Sequence, residues 1–279
     1  MPLVTLNEVL SEAEDKNIAI GAFNIANYES CKAVFDSAKE LKMPVIIQIF
    51  RRLVDNEKAR DLAGLVRSMA EDMPYPVVLH MDHGNSLFQV EKAIRYGFTS
   101  VMIDGSELPL QQNINLTREV VTMAHQAGLS VEAELGHVPA QDKGDSENFF
   151  TVPAEAKIFV RETSVDALAI AIGTAHGKYL VKPKLDFERL KTIHSLLNVP
   201  LVLHGGSDTP ADDIKQAVKM GIRKVNIATD FHQVFIDEVA KQAEAHKNKF
   251  SPIDLYMHPV YEGMRKMVLN RLLVLSDKI

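Results

Sequence analysis

The residues best placed to do chemistry are three histidines, each closing an apolar run and each followed by glycine. One run is Val77-Val78-Leu79-His80-Met81-Asp82-His83-Gly84. A second, over 167–173, leads to His176-Gly177. The third is Leu201-Val202-Leu203-His204-Gly205. Each run reads as a buried parallel strand with its imidazole at the carboxyl end. A lone strand-end histidine is most often a hydrogen-bonded core residue. Three at equivalent positions point instead to a metal, because neutral imidazoles hold Zn²⁺ and leave a position open for substrate. Asp82, beside His83, supplies an acid/base. The pattern is that of a metal-dependent enzyme.

Other polar residues gather around these. Glu132 and Glu134 are two apart in an apolar run, so they share one face of a strand. Carboxylates facing a closed interior are costly unless they meet cations or donors. Glu134 and Asp104 read either as part of a hydrogen-bonded rim network or as a fourth or alternate metal ligand. His80 shares a strand with Asp82 and reads as a core residue outside the site. Gly205-Gly206-Ser207 and Asn226-Ile227-Ala228-Thr229 end two later runs. Backbone amides and hydroxyls at such places cradle phosphate in barrels. Ser207, Asp208 and Thr209, just ahead of Pro210, also read as helix caps.

The elements that must position these residues alternate from end to end. Strand-like runs rich in Val, Ile and Leu fall at 18–24, 45–50, 77–83, 100–105, 131–136, 167–173, 201–206 and 224–229. Helical periodicity falls between them, at 28–41, 57–70, 87–96, 110–127, 153–161, 186–197, 210–220 and 231–246. Strands alternating with helices in this number predict an α/β fold, a single (β/α)8 TIM barrel over residues 1–279. Pro44, Pro76 and Pro200 stand just before strands, and Gly97, Gly128 and Gly221 close helices. Two extra helices lie outside the repeat. The N-terminal one, 5–15, has Thr5 as N-cap and Glu8 completing a capping box. The C-terminal one, 260–275, carries Met264, Met267, Val268 and Leu272 on its apolar face, to pack on its own barrel or on a partner subunit. The polar stretch 136–151 leaves the fifth strand on the face where barrels keep their active sites.

Composition narrows the class. The chain has 279 residues and a formal charge of −6, which gives no basic footprint for nucleic acid. Its one cysteine, Cys31, excludes an intrachain disulfide, suits a reducing cytosol and reads as a packing residue. No run reaches the ~18 apolar residues of a membrane span, and no secretory pattern opens the chain, so a cytoplasmic protein is predicted.

At this point the motifs resemble a known family, the class II, zinc-dependent ketose-bisphosphate aldolases, on the tagatose-bisphosphate/fructose-bisphosphate aldolase branch. The resemblance rests on Ala22-Phe23-Asn24, Asn27-Tyr28-Glu29, Leu79-His80-Met81-Asp82-His83 and Ile103-Asp104-Gly105-Ser106. It continues through Val131-Glu132-Ala133-Glu134-Leu135-Gly136, the segment Ala169 to Gly177, Leu203-His204-Gly205-Gly206-Ser207-Asp208 and Lys224-Val225-Asn226-Ile227-Ala228-Thr229. It implies that His83, His176 and His204 hold zinc, with a second metal position at Asp104 and Glu134. It implies that Asp82 is the general acid/base at the hydroxyl that becomes the aldehyde. Dihydroxyacetone phosphate would be bound by Gly177, Gly205, Gly206, Ser207, Asn226, Ile227, Ala228 and Thr229, and Asn24 and Gln48 are assigned to the substrate with them. A monovalent cation, Na⁺ or K⁺, beside the phosphate loops and a homodimer or homotetramer are also implied.

The chain departs from that family in places. Relatives carry a Gly-Gly pair and then a Glu that shuttles the donor-carbon proton; here Asp142 falls about where that Glu belongs, with Asp145 and Glu147 nearby. After Gln48, relatives place small residues, whereas this chain has Ile49-Phe50-Arg51-Arg52. Relatives bind a second phosphate with a late arginine from a neighbouring subunit; the nearest positions here are His258 and Arg265. The last two departures fall on the aldehyde half and leave the acceptor open. Lys178 reads as a solvated lysine. The rival readings are a non-catalytic barrel subunit of an aldolase complex and a metal-dependent sugar-phosphate isomerase or epimerase.

Overall fold

A computed structural model of the chain describes residues 3–138, 149–177 and 183–276. The strands are β1 (Ile20–Asn24), β2 (Val45–Phe50), β3 (Val77–Gly84), β4 (Ser100–Ile103), β5 (Ser130–Leu135), β6 (Ala167–Ile170), β7 (Leu201–Leu203) and β8 (Ile222–Ile227). They pair in sequence order, all parallel, and β1 pairs with β8 to close the barrel. The helices are α1 (Leu6–Lys16), α2 (Tyr28–Leu41), α3 (Arg51–Asp55), α4 (Lys58–Glu71), α5 (Leu87–Tyr96) and α6 (Leu110–Gln126). They continue as α7 (Pro153–Thr163), α8 (Phe187–Leu196), α9 (Ala211–Lys219), α10 (Thr229–Ala245) and α11 (Ile253–Leu275). The short α3 has no counterpart in the sequence reading. The strands after the fifth end earlier than predicted, so His176 and His204 stand in loops just past β6 and β7.

Both faces of the sheet are buried, but they differ. Outward residues such as Phe23, Ile47, Ile49, Leu79 and Met81 pack under the helices. Inward residues are layered along the barrel axis. At the amino end Ile20, Ala22, Ile46, Val78, Ala167, Ala169 and Val202 form an apolar floor. Toward the carboxyl end the same inward register carries Asn24, Gln48, His80, Asp82, Glu132, Glu134 and Lys224, all buried. The strands therefore read as apolar because both faces are covered, while their inward period of two switches from apolar to polar partway up.

Helix α1 seals the floor. Leu6, Val9, Leu10 and Ala13 pack into the inward apolar layer. The Thr5–Glu8 capping box forms as the sequence predicts. Arg223 on β8 pairs with Glu14 at 2.7 Å and donates to Asn17 Oδ1 at 2.9 Å, which fixes the far end of α1. Helix α11 lies against α2, α10 and β1, and buries Val260, Met264, Val268, Leu272 and Leu275 on its own barrel. None of Ser207, Asp208 and Thr209 caps α9, whose N-cap is Pro210. Cys31 is buried beside Met69, and burial pushes its thiol up to about 12. Among the described residues no helix is long and apolar enough to cross a membrane.

The floor contributes to stability independently of the chemistry at the other end. Leu10→Ala should cost about 2–5 kcal/mol, the usual range for emptying a fully buried leucine site. Denaturant unfolding checks this, and the variant should keep its activity per folded molecule.

Candidate active site

The carboxyl ends of the strands surround a cavity of about 480 Å³. Asn24, Phe50, Arg51, Arg52, Asp82, His83, Asp104, His176, Gly177, Gly205, Ser207, Asn226, Ala228 and Thr229 line it. His83, His176 and His204 bring ring nitrogens within 4.8 Å of one another. Asp104 and Glu134 approach His83 to the same limit.

A local irregularity brings Asp82 and His83 together. Adjacent residues of a strand face opposite sides, so a regular β3 would turn His83 outward. Between Met81 and Gly84 the register of β3 against β4 slips, with Met81 opposite Val101 but Gly84 opposite Ile103. His83 sits at φ 53° within this bulge. Such a conformation costs a non-glycine residue about 1–3 kcal/mol. Local bonds oppose that cost. Arg51 Nη1 donates to the His83 carbonyl at 3.2 Å, and Asp104 Oδ2 meets His83 Nδ1 at 2.9 Å.

Asp82 is buried and held as a carboxylate. Asn24 Nδ2 donates to one oxygen at 2.7 Å, and Asn226 Nδ2 to the other at 3.3 Å. Burial pushes its pKa up, but the His83, Lys224 and His204 charges and the Asn24 bond outweigh that and leave it below the usual range. Gln48 does not line the cavity. Its Nε2 donates to Asn24 Oδ1 at 2.9 Å, which orients the amide that holds Asp82.

The interior beneath is a chain of charges. Lys224 Nζ, fully buried, lies 2.8 Å from Glu132 Oε2 and 2.7 Å from Asn226 Oδ1. Glu132 Oε1 meets His204 Nε2 at 2.9 Å. Burial works against the His204 cation, yet Glu132 and Glu134 prevail and push it up to about 10. Among the described residues His176 has no such partner, and burial with the nearby histidines pushes it down to about 3. Burial likewise brings His80 to about 3; its Nδ1 meets Ser100 Oγ at 2.9 Å, so it belongs to the core. Asp104 is held well below the carboxylate range by His83 and Ser106, against the effect of burial.

The donor set fits a divalent cation. His204 Nδ1 and Glu134 Oε2 are buried 3.2 Å apart, and neither completes a hydrogen bond. Unsatisfied buried polar atoms are rare and call for a partner. The bond at His83 Nδ1 leaves its other nitrogen for a metal, the arrangement that orients ligand histidines generally.

The loops after β7 and β8 are bonded to each other. Ser207 Oγ accepts from the Ala228 and Asp230 amides at 3.3 and 3.2 Å. Asp230 Oδ2 accepts from the Asp208 amide and from Arg271 Nη2, both at 2.7 Å. Gly206 and Ile227 do not line the cavity; Ile227 packs outward in the core, and a Cβ on Gly206 would meet Val225 at 2.4 Å. Asp142, Asp145, Glu147 and Lys178 lie outside the described residues.

Sequence reasoning missed several participants. Lys224 signalled itself as a lysine inside an apolar strand, two residues before Asn226 and so on its face. His232, whose Nε2 meets the Asn24 carbonyl at 2.8 Å, and Glu107 and His137 on the cavity wall carried no sequence signal.

Comparison with known proteins decides the family. The family model described as fructose-bisphosphate aldolase class-II matches residues 4–278. The chain belongs to the class II fructose-bisphosphate aldolase family. A fructose-bisphosphate aldolase of Helicobacter pylori strain 26695 is 38% identical, with 99% of this chain and 98% of the relative covered. The crystal structure of the YdjI aldolase from Escherichia coli K12 superposes with a TM-score of 0.88 at 34% identity, covering 98% of this chain and 97% of the other. The fructose-bisphosphate aldolase of Campylobacter jejuni gives 0.84 at 25% identity, covering 98% and 95%. The protein is thus an aldolase, an aldehyde-lyase, from a family that acts on phosphosugars and in general depends on zinc.

In this aldolase Arg271, on the last helix, reaches the loops after β7 and β8 through Asp230. Arg271→Ala should raise KM for the phosphorylated substrate about 5-fold, as loss of about 1 kcal/mol of loop positioning implies, with a smaller change in kcat. Steady-state kinetics check this, and Arg271→Lys should recover part of the loss.

Proposed function

We propose that this aldolase is zinc-dependent and reversibly cleaves a ketose phosphate, similar to fructose or tagatose bisphosphate, to dihydroxyacetone phosphate and an aldehyde. The observation that carries the reading is the convergence of His83, His176 and His204 beside the doubly amide-held Asp82. The three histidines would hold the zinc, with Asp104 and Glu134 as a second or alternate metal position. Zinc supplies there a Lewis acid for the ketose carbonyl, where negative charge develops as the carbon–carbon bond breaks.

The chain's own groups carry the rest. Asp82 accepts the proton of the hydroxyl that becomes the aldehyde carbonyl, and returns it in condensation. Its ionised form, kept by Asn24 and Asn226, suits that task. The electron pair of the broken bond stays with the donor half, and a proton then returns to its carbon; we assign that step to Asp142. Gly177, Gly205, Ser207, Ala228 and Thr229 bind the donor phosphate, with amides at the start of α10 favouring the anion. Gly206 and Ile227 shape this cradle from behind, Asn226 faces the cavity beside it, and Asn24 and Gln48 act on the substrate through Asp82. A Na⁺ or K⁺ ion accompanies the phosphate. The chain acts as one domain and as a cytoplasmic homodimer or homotetramer, a reading supported by the exposed Phe250, Ile253 and Leu255 near the start of α11.

Two measurements test this. Metal analysis should find about one tightly held zinc per chain. His→Ala at any of the three positions should weaken binding and abolish activity; stoichiometric zinc in the triple variant would refute the assignment. Asp82→Asn should keep zinc while cleavage falls ~10²–10⁴-fold. Proton exchange on dihydroxyacetone phosphate should fall less, and Asp142→Asn should show the reverse order. Undiminished cleavage by Asp82→Asn would remove it from the mechanism.

A further inference from the structure

The carboxyl end of β2 places Phe50, Arg51 and Arg52 together on the cavity wall. The guanidinium carbons of Arg51 and Arg52 lie 5.8 and 5.6 Å from the centre of the Phe50 ring. That ring is itself 6.1 Å from the His83 ring. Two cations therefore share one aromatic surface next to a proposed metal ligand, both within cation–π range.

Neither guanidinium is ion-paired among the described residues. The carboxylates nearest in sequence are engaged elsewhere. Asp55 accepts from Gln89 Nε2 at 2.7 Å, and Glu57 lies 3.9 Å from Lys92. Arg189, Arg223 and Arg271, by contrast, each meet a carboxylate at 3.0 Å or less. Arg51 spends one N–H on the His83 carbonyl, while the Arg52 guanidinium lies over the Phe50 ring and has no hydrogen bond or ion pair among the described residues. Two adjacent positive charges without a counter-charge repel, and an anion between them relieves the repulsion. A planar guanidinium also matches the oxygens of a carboxylate or phosphate.

The barrel order says which end of a substrate would arrive there. The phosphate-side loops follow β7 and β8, and β1 separates β8 from β2. Elsewhere on the wall, after β4, Glu107 lines the cavity, so an anion is drawn toward the arginines after β2 rather than toward that carboxylate. The two final-helix positions singled out in the sequence are already engaged. Arg265 is paired with Glu40 and Glu262, and His258 stacks on Tyr261.

We propose that Arg51 and Arg52 anchor an anionic terminus, phosphate or carboxylate, on the acceptor aldehyde, with Arg52 the main specificity determinant. The assignment rests on the donor half being dihydroxyacetone phosphate. Phe50 holds the two guanidinium groups side by side, and the anion bridges them.

The test is condensation of dihydroxyacetone phosphate with three short aldehydes: glyceraldehyde 3-phosphate, tartronate semialdehyde and neutral glyceraldehyde. The wild type should prefer at least one anionic acceptor in kcat/KM, and which one separates phosphate from carboxylate. Arg52→Gln should lower the anionic-to-neutral ratio about 10- to 100-fold, the range for one lost charge-assisted contact. The neutral acceptor is the internal reference, so a general loss of activity cancels. Arg52→Lys should recover part of the ratio, and the Arg51→Gln, Arg52→Gln double variant should erase it. Equal use of charged and neutral acceptors by the wild type, or a ratio unchanged in Arg52→Gln, would overturn the proposal. Proton exchange on dihydroxyacetone phosphate is measured in the same preparations. Exchange without anionic preference overturns this assignment alone, whereas absence of exchange overturns the proposed reaction and this assignment with it.

Discussion

A parallel strand turns neighbouring residues to opposite faces, yet this site needs two neighbours, Asp82 and His83, in one cavity. The bulge in β3 reconciles these demands. It breaks the register with β4 after Met81 and lets His83 take a left-handed backbone. Much of the surrounding architecture then serves to hold it. Arg51 from β2–α3 fixes the His83 carbonyl, and Asp104 from the end of β4 fixes its ring. The Asp104 amide bonds back to the Gly84 carbonyl at 2.7 Å, so the ladder resumes beyond the bulge. Strain of this kind persists only where neighbours over-determine it, and here both flanking strands do so.

The second constraint is charge in a closed interior. Glu132, Glu134, Asp82 and Lys224 are buried together, where each ion alone would be costly. The structure compensates by alternation: Lys224 against Glu132, Glu132 against His204, His204 against Glu134. The last link is incomplete, because His204 Nδ1 and Glu134 Oε2 face each other without a hydrogen bond. Two such atoms facing each other where the three histidines meet are consistent with a site built around a cation. Gln48 and His80 complete the lower part of this layer, which explains why they are polar without reaching the cavity.

How much of this the sequence disclosed follows from what each level of structure depends on. The barrel was legible because apolar runs and helical periodicity record burial on both faces of a sheet. The convergence of His83, His176 and His204 was legible because three equivalent strand ends must share one rim. Residues that act through another side chain were harder to place. Gln48 looked like a substrate contact, but strand register turns it toward Asn24. Ile227 and Gly206 sit in the right motifs, yet the pleat and a close backbone approach turn them away from the cavity. Lys224 required knowing which face of β8 is inward. Helix α3 was invisible because five residues are too few to show a period.

The two ends of the cavity rest on different kinds of support, and this bears on how their specificity can change. The β7–β8 side is built from main chain and short side chains locked to one another through Ser207, Asp230 and Arg271. Altering one member there disturbs several others. The β2 side rests on long side chains leaving a short helix. Among the described residues the Arg52 side chain makes no hydrogen bond or ion pair, and the nearby Asp55 and Lys92 are tied to neighbouring elements without it. A substitution at Arg52 therefore changes the charge offered to a ligand at little structural cost. An aldolase scaffold with one rigid end and one replaceable end can keep its donor while its acceptor varies. Phe50, Arg51 and Arg52 lie on the replaceable side.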